Sequence, residues 1–177
     1  DGSHVGFPGF LSLVSRVALS AGSEAEGLTG FTAPPATPSV VSDTGEIKWD
    51  FTLPARGAVT VKTARTKAVV GFAAGRTFDL DGIAITPGET RQDWATIGFT
   101  ALEGESLLSA SRGVIVTTGE HANTGMVWNA ARTSVSNRWG GAPALIEVIP
   151  ASVRWNVPAS RLKVWVLNEK GERGEPV

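Results

Sequence analysis

Residues 119–141 concentrate the side chains with the greatest chemical capacity in this chain: Trp128, Trp139, His121, Asn123, Asn129, Asn137, Arg132 and Arg138. An indole is a flat apolar surface with one N–H donor at its edge. A pyranose ring presents a C–H face that such a surface can match, while amide and guanidinium groups fix the hydroxyls by hydrogen bonds. A few polar groups on apolar walls is the general design of small-ligand pockets. The expected ligand-binding set is Trp128, Asn129, Arg132, Trp139 and Asn123, joined by Trp94 and Trp165. Trp94 shares parity with Gln92, Thr96 and Thr100, opposite Ala95, Ile97 and Phe99. Trp165 shares parity with Arg161 and Lys163, opposite Leu162, Val164 and Val166. A structural reading competes: Asn side chains stabilise turns by bonding their own backbone, and Trp94 and Trp165 cover an outer sheet face or a neighbouring domain.

Other chemistries have less support. Glu120-His121 lacks the further ligands that a metal site needs. Ser and Asp are plentiful enough to leave a Ser–His–Asp triad open, but no Gly-x-Ser-x-Gly nucleophile elbow occurs. Neither a Gly-x-Gly-x-x-Gly opening a helix nor a Walker loop is present. Glycoside cleavage needs two carboxyl groups at a set separation, and sequence does not say which acids face each other. Glu147 stands out because it interrupts the apolar run 145–149. No catalytic residue, metal or cofactor is assigned.

These side chains need a scaffold, and period-2 alternation supplies one. Ile47, Trp49 and Phe51 alternate with polar residues, as do Val59 and Val61; 95–101, 153–157 and 162–166 each place apolar residues on one face, and 114–118 is β-branched throughout. Asp81-Gly82 between apolar runs is a strong hairpin signal; Glu103-Gly104 and Lys170-Gly171 are weaker ones. Short strands at this spacing predict an all-β fold, an antiparallel β-sandwich of jelly-roll or Ig-like type with little helix. Trp49, Trp155, Ile97 and Val164 are expected inside. Residues 10–19 read as a strand, with a short helix as the rival. Helix elsewhere is limited to a turn at 107–111 or 129–133. Residues 1–9 read as a linker or cloning remnant and 10–177 as a single domain. Within it, 21–39 is irregular, since Pro34, Pro35 and Pro38 rule out a central strand. Residues 119–141 form a long loop between strands at 113–118 and 144–149. Structureless loops beyond about 12–15 residues are usually functional or disordered, and the aromatic content argues against disorder.

A net charge of −1, a pI near 6.2 and no Lys/Arg run disfavour nucleic acid and anionic membranes as partners. No apolar run approaches the roughly 18 residues of a membrane helix, and no signal peptide is visible. Cysteine is absent, which removes disulfides and thiolate metal sites.

Residues 43–50 (Asp-Thr-Gly-Glu-Ile-Lys-Trp-Asp) and 59–72, followed by 123–129 (Asn-Thr-Gly-Met-Val-Trp-Asn), Arg132-Thr133-Ser134 and Arg138-Trp139-Gly140, resemble segments of large multidomain bacterial glycoside hydrolases. In those proteins a (β/α)8 catalytic barrel is followed by a β-sandwich similar to this chain over roughly residues 10–170. The resemblance implies a C-terminal accessory domain, secreted or periplasmic, whose partners are a polysaccharide or oligosaccharide and a catalytic barrel in the same or a partner chain. It implies no catalytic residues here, since those belong to the barrel, and 177 residues cannot also hold a barrel of about 250. Three functions follow: a non-catalytic carbohydrate-binding domain, a structural domain packed on the barrel, and a small β-sandwich glycosidase or lyase.

Overall fold

The computed structural model describes residues 11–15, 38–53 and 55–177. The irregular segment expected at 21–39 falls almost wholly outside them, as do residues 1–9. Among the described residues, thirteen strands follow one α-helical turn, α1 (Leu11–Val14), and a short 3-10 turn spans Ala159–Arg161. The strands are β1 (Ser39–Val41), β2 (Ile47–Asp50), β3 (Ala58–Lys62), β4 (Thr66–Phe72), β5 (Phe78–Asp79), β6 (Ile83–Pro87) and β7 (Trp94–Ala101). They continue with β8 (Gly113–Thr118), β9 (His121–Thr124), β10 (Gly141–Ile146), β11 (Ala151–Trp155), β12 (Trp165–Leu167) and β13 (Arg173–Pro176). The strand expected at 10–19 is the short helix over its described part. Its alternation is brief, and Ser15 N–H donates to the Leu11 carbonyl at 2.9 Å, closing a helical turn.

The chain forms an antiparallel all-β sandwich. One layer is a six-stranded sheet in the order β1-β2-β3-β4-β7-β8. A three-stranded sheet, β11-β6-β5, supplies the opposing residues, and β9–β10 and β12–β13 are separate ribbons. The core lies between the two sheets: Val69, Ala95, Ile97 and Phe99 from the large one, Ile83 and Ile85 from the small one, with Leu107 and Ile149 closing the ends. Burying a Val or Ile side chain stabilises by about 1.5–3 kcal/mol, so this layer of branched residues is the main source of stability. Trp155 packs edge-on to Phe99, with ring centroids 5.0 Å apart. The Asp81-Gly82 hairpin is present: both residues have positive φ (57° and 82°), as a type I′ turn requires.

Two core assignments reverse. Trp49 lies on the outer face of the large sheet, directly opposite Val59 and in register with Val70. The alternation in β2 is real, but β2 lies near the edge of the sheet and its apolar side turns away from the core. Asp50 takes the other side, where the Arg76 guanidinium reaches it at 2.6 Å. Val164 is half exposed, because β12–β13 stands apart from both sheets and no described element covers that face. Trp165 is the half-buried member of the ribbon, with the Arg173 guanidinium 4.2 Å from its ring.

The segment 119–141 is more regular than expected. His121–Thr124 is strand β9, and it pairs with β10, which begins at Gly141 rather than at 144 and ends at Ile146 rather than 149. Polar strand residues such as His, Asn and Thr hid the period. The loop proper is 125–140, closed by internal bonds such as Val127 N–H to the Arg138 carbonyl at 3.1 Å. It is anchored by buried Val135. Residues 107–111 and 129–133 contain turns and no helix.

Candidate functional site

A cleft of about 300 Å³ opens where the β9–β10 hairpin meets the start of β7; its walls are Gln92, Trp94, Gly119, Glu120, His121, Trp128 and Arg132. Trp94 begins β7 on the outer parity of the sheet and is 41% exposed. Phe72, its direct partner on β4, meets it edge-on with centroids 5.3 Å apart and fixes its plane. Arg132 comes from the hairpin loop with φ of 53°. A non-glycine residue in this region is strained unless its surroundings hold it there. Here the guanidinium is held twice: it pairs with the Glu120 carboxylate and lies 5.4 Å from the Trp128 ring centroid.

Glu120 is the charged centre of the cleft. The Gln92 side chain donates to one carboxylate oxygen at 2.8 Å and Arg132 donates to the other. The Gln92 hydrogen bond, the Arg132 hydrogen bond and the Arg132 and Arg91 charges, in that order, hold the carboxyl below its ordinary value against the opposing effect of burial. Glu120 is thus an ionised acceptor. The Trp128 ring N–H is buried with no hydrogen-bond partner.

Glu147 positions this cleft. It accepts from Arg91 N–H at 2.7 Å and from Glu120 N–H at 3.3 Å, tying the approach to β7 to the approach to β9. Gly119 makes room for it, because a Cβ there would stand 2.5 Å from Ile149 Cδ1 and 3.0 Å from a Glu147 carboxylate oxygen. The acid that interrupts an apolar run is therefore a backbone clamp.

Of the seven residues singled out from sequence, Trp94, Trp128 and Arg132 converge on the cleft. Asn129 instead organises its own turn, accepting from Thr133 N–H at 2.9 Å and donating to the Thr133 hydroxyl at 3.0 Å. Asn123 donates to the Trp139 carbonyl at 3.0 Å. Trp139 is 62% exposed and is not among the cleft walls. Trp165 lies under Arg173 in the β12–β13 ribbon. Gln92 and Glu120 join the cleft from outside the expected set, although Gln92 shares the parity of Trp94. Among the described residues no three His, Asp or Glu side chains gather at metal-binding distance, and no helix is long and apolar enough to cross a membrane.

A second depression, of about 350 Å³, borders the cleft on the outer face of the large sheet. Its walls are almost entirely apolar and include Trp49, Phe51, Val59, Val70, Phe72 and Trp94. The Trp49 and Phe51 rings are nearly parallel, 11° apart, with centroids at 6.3 Å. No family model, curated protein or solved structure matches this chain.

Proposed function

We propose that this chain is a non-catalytic accessory domain of a secreted or periplasmic polysaccharide-active enzyme, and that it binds carbohydrate in the cleft at Trp94. The observation that carries this reading is the meeting of two indoles with a fixed amide, carboxylate and guanidinium in one open cleft. An exposed indole offers stacking area at little entropic cost, and prealigned polar groups supply direction. The ionised state of Glu120 favours binding over hydrolysis. A glycosidase acid must hold its proton near neutral pH and work with a second carboxyl group. Glu120 is driven the other way, and it is the one carboxylate among the cleft walls. This disfavours Glu120 as the acid of a small glycosidase. The test is affinity electrophoresis of the chain against a panel of plant and algal polysaccharides. Retardation by at least one glycan, lost in Arg132→Ala, is the expected result; migration unaffected by every glycan would reject the reading.

The structural alternative, packing against a (β/α)8 barrel, is favoured by a different observation. Every residue of β10 is exposed, Ile146 is 66% and Val148 86% accessible, and Val164, Val166 and Leu167 are also open. Large apolar side chains left open on two ribbons offer area of the kind that marks interaction sites. Hydrogen exchange of the β10 amides, compared between this chain alone and a polypeptide that also carries a barrel, separates the two functions. Protection appearing only with the barrel supports packing.

A further inference from the structure

We infer that the polar cleft and the apolar groove beside it are one continuous track for an extended glycan chain several sugar units long, with Trp94 at the junction. The inference rests on the carbohydrate reading above and goes beyond it in ligand length and in the residues that read that length. Trp94 is a wall of both depressions. From it the groove crosses β4 and β3 to β2: Phe72 pairs with Trp94, and two residues earlier on β4 Val70 starts a cross-strand row with Val59 and Trp49 on the same face. Adjacent strands lie about 4.8 Å apart, so the three steps from β7 to β2 cover about 14 Å. That is the reach of an oligosaccharide and more than a single ring needs.

The chemistry along the track suits a chain of sugars. Apolar C–H faces would lie on the Trp49–Phe51 pair at one end and on Trp94 at the other. Hydroxyl partners stand at the rim between them. The Arg56 guanidinium lies 5.0 Å from the Phe72 ring centroid and pairs with Asp93, the residue preceding Trp94. Beyond Trp94, the Gln92, Glu120 and Arg132 network binds the next unit. Phe51 is 45% exposed at the far end, so its removal shortens the track with little effect on the core.

The test is calorimetry of the whole chain with disaccharides and hexasaccharides of the cello-, xylo- and agaro- series, using wild type, Phe51→Ala and Trp94→Ala, with thermal melting to confirm folding. In at least one series the hexasaccharide should bind wild type about tenfold or more tighter than the disaccharide, the scale of one good aromatic contact. Phe51→Ala should remove that gain and weaken the hexasaccharide more than the disaccharide, whereas Trp94→Ala should weaken both. A hexasaccharide that binds no tighter than its disaccharide, or that is indifferent to Phe51→Ala, overturns the track while the cleft survives. Absence of binding by any of these sugars to the wild type overturns both.

Discussion

The two ends of this domain are built differently. In β4, β6 and β7 the inward residues are almost completely enclosed, with Val69, Ile83, Ile85 and Ile97 all at zero exposure. β9–β10 and β12–β13 form two-stranded ribbons, while β11 between them returns to the three-stranded sheet, and β10 and β13 are exposed along their whole length. Isolated two-stranded ribbons are at best marginal by themselves, so the second region depends on its attachment to the first. The cleft lies on the seam. Gln92 and Trp94 belong to the packed region; Glu120, His121, Trp128 and Arg132 belong to the open one. One half supplies rigidity and the other supplies surface, and the candidate site is where a surface element is braced against a rigid one.

The two halves should differ most in the response of their apolar side chains to truncation. Ile97→Ala should destabilise the chain by about 2–5 kcal/mol, whereas Ile146→Ala should change stability by under about 0.5 kcal/mol. Chemical denaturation of both variants checks this; equal effects would erase the distinction between the halves. The seam comes next. Glu147→Ala leaves two backbone N–H groups without their charged acceptor, and hydrogen bonds to charged groups contribute about 1.5–3 kcal/mol each when well buried. Since the site is partly open, a loss of about 1–2 kcal/mol is expected, with faster hydrogen exchange at Arg91 and Glu120 than elsewhere.

Acid should act on the two regions separately. The Asp50 carboxyl is lowered from 3.8 to about 2, first by the Thr52 hydroxyl, then by the Thr52 backbone N–H, and further by Arg76. A depressed native pKa gives stability that is present above the unfolded value and lost as pH falls through the native one. The Asp50 contribution is therefore complete above about pH 4 and disappears towards pH 2. Asp50→Asn should flatten the stability profile in that window alone. Glu120 shifts in the same direction, so its acceptor function should persist at pH 4.5, its ordinary value, and fail at lower pH. The smallest effect should come from Trp139→Ala, an exposed side chain, at under about 0.5 kcal/mol in thermal melting.

The legible part of this molecule was the part with strong alternation. β7 reads correctly down to the outward parity of Trp94, because a central strand has one face fixed by the core. β2 has equally clear alternation, yet its apolar face is the outer one: period fixes which residues share a face, and tertiary placement decides which face is buried. Val164 fails for the same reason, since β12–β13 has no layer across from it. β9 escaped notice because His121, Asn123 and Thr124 carry no apolar period. At the site, tryptophans and an arginine were visible as residue types. The carboxylate between them was not, because Glu120 becomes central only once Gln92, some 28 residues away in sequence, is brought beside it. Asn123 and Asn129 look alike to Asn side chains that bind ligands, and only their hydrogen bonds assign them to turns.

Calorimetric titration of wild type, Trp94→Ala and Trp139→Ala with the best-retained polysaccharide tests the seam cleft most directly. Trp94→Ala should bind about tenfold or more weakly, the loss expected for a central aromatic anchor, while Trp139→Ala should match the wild type. Affinity that falls with Trp139→Ala and is untouched by Trp94→Ala would contradict a cleft at the seam and place recognition on the exposed hairpin tip.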